Sequence, residues 1–287
     1  MVVNEQILFQ FPNEITLHIK REDLIHPFIS GNKFRKLKYN LLKAKEEKKT
    51  KLLTFGGAFS NHIAAVAFAG MENNFETIGI IRGDELESQI YENSTLLFAQ
   101  ECGMKFQFVS REEYQNKTTD LFIEKLKNIY YDFYLIPEGG ANLLAVKGCE
   151  EILTEKDSQF SHICCSIGTG GTISGLINSA QLYQKIIGFP SLKGDFLSDD
   201  IRKFAVKSNW EFVTDYHFGG YGKINEELVR FINDFYHQTK IPLDPIYTGK
   251  MMFGIVDLIQ KGYFPKGSKI LAIHTGGLQG IKGMNNY

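Results

Sequence analysis

Residues 162–184 read HICCSIGTGGTISGLINSAQLYQ, and this stretch decides the fold. An apolar run, His162 to Ser166, has the length and composition of a buried strand, and it runs into Gly168-Thr169-Gly170-Gly171. From Thr172 to Gln184 the apolar positions return at helical spacing. A strand, a glycine loop and a helix in that order form the start of a parallel α/β unit. The same order repeats along the chain. Strands are expected at 51–55, 77–81, 105–109, 133–136, near 211–213 and at 269–273. Helices are expected at 61–71, roughly 87–102, 112–127, 142–153, near 225–237 and at 250–261. The stretch from Phe189 to Asp200, with Pro190, Gly194 and three aspartates, reads as the most loop-like segment. Parallel sheets with helices on both faces follow from this alternation.

Composition narrows the class. The chain has 287 residues, 43% of them apolar, with Lys+Arg 32 against Asp+Glu 33 and a net charge of −1. That balance lacks the basic excess of a nucleic-acid protein. The 23 Phe and 13 Tyr argue against disorder. No apolar run reaches the roughly 18 residues of a membrane span, and the first residues lack the basic segment and cleavage site of a secretory signal. Four cysteines are too few for a disulfide framework and none are paired as C-x-x-C, so a reducing cytoplasm is expected. His26, His162, His217 and His237 lack metal-ligand spacing, and no metal is expected.

Ligands of α/β sheets bind outside the carboxyl ends of strands, and four segments read as loops of that kind: 30–37, 56–62, 168–172 and 274–277. Glycines before a helix let backbone N–H groups approach an anion, so the Gly168 loop suits a phosphate. It is not a dinucleotide fingerprint, because Ile173 stands where the third glycine belongs, and it lacks the Gly-Lys-Ser/Thr of a P-loop. Ser60-Asn61-His62 suits a carboxylate cradle, although capping alone also explains a Ser or Asn there. Lys33 lies beside Arg35, Lys36 and Lys38, and a cationic neighbourhood depresses an amine pKa. A solvated basic face explains the same run.

In order, the pieces are Gly31-Asn32-Lys33-x-Arg35-Lys36-Leu37, Gly57-x-x-Ser60-Asn61-His62, Pro137-Glu138-Gly139-Gly140-x-Asn142, the Gly168 loop, Asp244-Pro245-Ile246-Tyr247-Thr248-Gly249-Lys250 and His274-Thr275-Gly276-Gly277. Together they resemble the 1-aminocyclopropane-1-carboxylate deaminase and D-cysteine desulfhydrase family, over nearly the whole chain. The resemblance implies two open twisted parallel-sheet domains of fold type II, with pyridoxal 5'-phosphate in the cleft between them. It implies a larger cofactor-binding domain from 1–40 plus 145–287, a smaller one from 41–144, and a homodimer acting on a small amino acid.

It also implies roles. Lys33 matches the lysine that holds the cofactor and moves the α-proton, and Asn61 the contact to the ring's phenolic oxygen. Ser60, Asn61 and His62 match the substrate cradle, with Ser60 counted among the catalytic groups. Gly168, Thr169, Gly170, Gly171 and Thr172 match the phosphate cup, and Tyr221 and Tyr247 the two active-site tyrosines. Thr248 and Thr275 stand where cyclopropane deaminases carry Glu and Leu, and desulfhydrase-like members carry Ser or Thr. A hydroxyl at the pyridine nitrogen gives a weaker electron sink than a carboxylate. The expectation is therefore α,β-elimination, with D-cysteine giving sulfide, pyruvate and ammonia. Cyclopropane deamination, elimination from another small D- or β-substituted amino acid, and a cofactor-holding protein without turnover are the alternatives. Phe34 and Phe59 depart from the family pattern and are expected to reshape the pocket, as is a shortened segment near 190–200.

Overall fold

A computed structural model describes residues 2–191 and 196–279. Among the described residues there are ten strands: β1 Asn4–Ile7, β2 Thr16–Lys20, β3 Lys51–Gly57, β4 Glu76–Arg82, β5 Lys105–Val109, β6 Tyr134–Ile136, β7 His162–Ile167, β8 Lys185–Pro190, β9 Trp210–Phe212 and β10 Lys269–Ile273. The α-helices are α1 Asn32–Glu46, α2 Asn61–Asn73, α3 Ser94–Glu101, α4 Arg111–Gln115, α5 Asp120–Tyr130, α6 Leu143–Glu150, α7 Gly171–Ser179, α8 Phe196–Arg202, α9 Glu226–Thr239 and α10 Thr248–Gln260.

The strands form two sheets. One has the order β1-β2-β10-β7-β8-β9 and the other β5-β4-β3-β6. Every pairing is parallel except β1 with β2. The smaller sheet takes all its strands from 51–136, and the larger takes its strands from either side of that span.

Both sheets are covered on both faces, and the period-2 alternation shows it. In β10, Ile270 and Ala272 pack with Met251, Met252 and Ile255 of α10, while Leu271 and Ile273 pack with Ile173, Leu176 and Ile177 of α7. In β3, Leu52 faces Ile63 and Val66 of α2, and Leu53 faces Phe122 and Leu126 of α5. Cys164 and Cys165 point to opposite faces of β7 and are wholly buried, as small hydrophobes. Among the described residues, no helix is long and apolar enough to cross a membrane.

Several expectations need correction. The helix expected at 87–102 is a 3₁₀ segment, Asp84–Glu92, followed by α3, whose Thr95 and Leu96 N–H groups are capped by Asn93. The helix expected at 112–127 is two helices, because Thr119 starts a second one through its hydroxyl. The helix after the Gly168 loop ends at Ser179, and the loop-like stretch from Phe189 contains the end of β8 and most of α8. Residues 192–195 of that stretch, Gly194 included, lie outside the described residues. Residues 32–37 are helical rather than loop.

Candidate active site

A cavity of about 550 Å³ opens at the carboxyl ends of β3, β4, β7 and β10. Lys33, Ser60, Asn61, His62, Gly168, Thr169, Gly170, Thr172, Tyr221, Tyr247 and Thr275 all line it. Gly171 and Thr248 do not.

Lys33 owes its position to Gly31. This residue starts α1 with φ +62, and a Cβ there would lie 1.9 Å from the Thr275 carbonyl oxygen. Only glycine permits so close a backbone approach. The Asn32 N–H donates to that same oxygen at 3.2 Å, and Asn32 Nδ2 donates to Thr172 Oγ1 at 2.8 Å. The start of α1 is thereby tied to the end of β10 and to the start of α7.

Lys33 Nζ donates to the Gly139 carbonyl at 3.1 Å. One helical turn on, Lys36 Nζ donates to the same oxygen at 2.9 Å and reaches Thr169 Oγ1 at 3.4 Å. Burial, and then the charge of Lys36, hold the Lys33 amine well below the usual lysine range. Burial lowers Lys36 as well. The wider basic cluster plays no such part, because helical geometry sends it elsewhere. Arg35 makes a two-pronged pair with Glu22, and Lys38 pairs with Glu151.

Ser60 caps α2, its oxygen accepting from the His62 and Ile63 N–H groups, so the hydroxyl hydrogen is left to donate. His62 is buried. The Thr54 hydroxyl gives its hydrogen to the Ile136 carbonyl at 2.8 Å, so His62 Nε2 donates to Thr54 Oγ1 at 2.9 Å. His62 Nδ1 is left as a bare acceptor, and burial with the nearby Lys33 and Lys36 charges keeps the ring neutral, its pKa well below 6.5. A neutral acceptor repels a carboxylate, so the His62 ring is a poor part of the expected substrate cradle. Asn61 Oδ1 and His62 Nδ1 are the two lining polar atoms, among the described residues, that are buried without a partner. Buried polar atoms of this kind call for a ligand group or water.

The Gly168 loop leads into α7, whose first N–H groups have no intrahelical partner. Gly170 has φ +81, and a side chain at Gly168 would press on the Tyr247 ring at 3.2 Å. The helix N-terminus and its dipole suit a phosphate.

Thr275 Oγ1 lies 3.2 Å from Ser166 Oγ, and both residues line the cavity. Thr248, expected to touch the cofactor, is wholly buried and is not among the residues that line the cavity. Its hydroxyl donates to Asp244 Oδ2 at 2.6 Å and accepts from the Asp244 N–H. Asp244 Oδ1 takes the N–H groups of Ile246 and Tyr247 at 3.0 and 2.7 Å, so this carboxylate fixes Tyr247. The Tyr247 and Tyr221 rings meet edge to face with centroids 6.1 Å apart. Burial raises both phenols above the ordinary tyrosine range, so both stay protonated.

Sequence reasoning gave no role to Arg82, Arg111 and Glu138, which also line the cavity. Glu138 pairs with Lys117, and Arg111 with Glu85. Arg82 ends β4, and its place at a strand's carboxyl end was the available signal. Phe59 lines the cavity as expected, but Phe34 does not. It stacks on His26, with centroids 5.7 Å apart.

The residues fit pyridoxal phosphate on their own chemistry. A lowered-pKa amine suits its aldehyde, a helix N-terminus its phosphate, and hydroxyls and an unpaired amide its ring. The comparisons agree. A sequence model of the family described as pyridoxal-phosphate dependent enzyme matches residues 8–276. A putative 1-aminocyclopropane-1-carboxylate deaminase of Pyrococcus horikoshii is 32% identical over 92% of this chain and 85% of its own. The bifunctional D-cysteine desulfhydrase/1-aminocyclopropane-1-carboxylate deaminase of Arabidopsis thaliana is 31% identical over 94% and 74%. The crystal structure of an ACC deaminase homologue superposes with a TM-score of 0.82 at 28% identity, over 99% of this chain and 93% of that one.

Proposed function

We propose that this chain, which belongs to the family of pyridoxal-phosphate dependent enzymes, catalyses α,β-elimination on a small amino acid, D-cysteine being the substrate that the site favours. The observation that carries this reading is the set of groups on the cavity wall. Lys33 is an amine with a depressed pKa, Tyr221 and Tyr247 are held as protonated phenols, and Ser166 and Thr275 present hydroxyls beside them. Asp244, whose Oδ1 accepts from the Tyr247 N–H, has its oxygens filled by the backbone and by Thr248.

When bound, the cofactor supplies a sink for the electron pair left on the substrate's α-carbon. The protein supplies the rest. Ser60 donates its hydroxyl hydrogen towards the substrate carboxylate, and the start of α7 holds the phosphate. The Lys33 amine takes the α-proton, and the β-thiolate leaves with a proton from Tyr221 or Tyr247. The released enamine takes up water and gives pyruvate and ammonia. Opening a cyclopropane, which has no α-proton to remove, asks for a stronger sink than hydroxyls provide. The four buried free cysteines suit a reducing cytoplasm.

The test is sulfide and pyruvate release from D-cysteine by the loaded protein. A protein that binds the cofactor but releases neither would overturn the reading.

A further inference from the structure

Tyr221 sits on a glycine-rich turn with few bonds of its own, among them the Gly219 N–H donating to His217 Nδ1 at 2.9 Å. Phe218, Gly219, Gly220 and Gly222 all have positive φ, at 53, 96, 119 and 69°. For the non-glycine residue that conformation is strained, and the glycines are free to leave it. Two short backbone bonds cross the turn, from the Gly220 N–H to the His217 carbonyl and from the Lys223 N–H to the Gly220 carbonyl. Tyr221 itself is 46% exposed, so the packing against Tyr247 covers only part of it.

The anchor comes from α10. Lys250 is only 2% exposed, and its Nζ donates to the His217 and Gly220 carbonyl oxygens, both at 2.9 Å. The same face of the helix continues the grip. Phe253 meets Phe218 edge to face at 5.1 Å, and Asp257 accepts from the Tyr216 hydroxyl at 2.6 Å. Residues 250, 253 and 257 lie one above the other on a helix. Of the three, Lys250 reaches the tip that carries Tyr221. It also follows Tyr247 by three residues, so one helical turn fixes both phenols. A buried ammonium is costly unless carbonyl dipoles solvate it, and here burial brings its pKa down to about 8.

We propose that Lys250 is a positioning residue: by clamping the His217 and Gly220 carbonyls it holds Tyr221 against Tyr247 at the spacing the proton donation needs. It touches no substrate and acts only through the turn. This rests on the reading that a tyrosine protonates the leaving group.

Lys250→Met keeps the stem and removes the donors. It is expected to lower kcat about 10–100-fold, the range for a small misplacement of a catalytic group, while KM and the cofactor absorbance stay at wild-type values. Hydrogen exchange at Gly220 and Lys223 should quicken, with α10 unchanged. Tyr221→Phe should add nothing to the Lys250→Met loss. Lys250→Arg retains charge and donors, so it should fold and recover part of kcat. It carries the same double-mutant test if the Met variant does not fold. Exchange unchanged from wild type, or a Lys250 loss that adds in full to that of Tyr221→Phe, would overturn the proposal. Quickened exchange together with a harmless Tyr221→Phe would leave the contact with the turn standing but overturn its catalytic role, and a simultaneous loss in Tyr247→Phe would keep the elimination mechanism with Tyr247 as the acid.

Discussion

Lys33 and Lys36 donate to one acceptor, the carbonyl oxygen of Gly139, at 3.1 and 2.9 Å. Two ammonium groups sharing one carbonyl out of water cannot both keep their protons cheaply. Lys33 carries the larger depression, because the charge of Lys36 adds to its burial. The structure thus sets two lysines three residues apart on unequal terms, with the Lys33 amine the more readily deprotonated.

Lys33→Ala is expected to abolish turnover together with the absorbance of the lysine-linked cofactor. Lys36→Met should raise the Lys33 pKa, so cofactor uptake by the apo-protein shifts to higher pH. Stopped-flow absorbance of cofactor binding between pH 6 and 9 measures both. An uptake profile that Lys36→Met leaves in place would show that burial alone sets the Lys33 pKa.

Replacing Gly31 by Ala should destabilise the fold by about 2 kcal/mol or more, through a left-handed φ and a direct clash with the Thr275 carbonyl. Gly103 is the control. It also has a positive φ, at +85, but has nothing within 4 Å of its would-be Cβ. Its Ala variant should lose only about 1 kcal/mol. Urea denaturation compares the two, and equal losses would mean that the close approach of α1 to β10 counts for little.

His62 gives a pH signature. Its folded pKa is depressed, so below about pH 6.5 the unfolded chain takes up a proton that the folded chain refuses. Its share of the stability is complete above that pH and declines as the pH falls. The limit is about 1.4 kcal/mol per pH unit for one group. His18 and His162 are lowered by burial and act in the same sense. His62→Gln should therefore reduce, but not remove, the loss of stability between pH 7.5 and 5.5. Identical losses in the variant and the wild type would assign the effect to the other two histidines.

Tyr221→Phe and Tyr247→Phe remove the two candidate proton donors. The variant that loses the working acid should drop in kcat by about 10²–10⁴, the range for general acid catalysis. Leaving groups that need no proton should lose less. If both variants keep wild-type kcat on a thiol substrate, neither phenol protonates the sulfur.

Much of this was legible because the cavity is built from short local signals at strand ends. A glycine loop after β7, a Gly-Gly before Ser60 and the Thr275-Gly276-Gly277 end of β10 each mark themselves. Less legible was anything decided by packing across the chain. The helical start at Lys33 was hidden because Gly31 is read as a loop until Thr275 is beside it. Strand β8 was missed because its short apolar run follows the stretch read as helix to Gln184 and ends in Phe189 and Pro190, where the loop-like segment was expected to begin. Pro190 is tolerated there as the last residue of the strand, where a missing N–H breaks little of the ladder. That Thr275 lines the cavity while Thr248 is buried away from it could not be told from two threonines after similar motifs. Asp244 decides it, four residues earlier, by taking the Thr248 hydroxyl.

The most direct test sets D-cysteine, L-cysteine and 1-aminocyclopropane-1-carboxylate side by side against the purified, cofactor-loaded protein, with sulfide, pyruvate and 2-oxobutanoate followed separately. The hydroxyl-lined site predicts sulfide and pyruvate from D-cysteine, and no 2-oxobutanoate. Production of 2-oxobutanoate without sulfide would contradict it, and would show that Thr275 and Ser166 suffice for opening the ring.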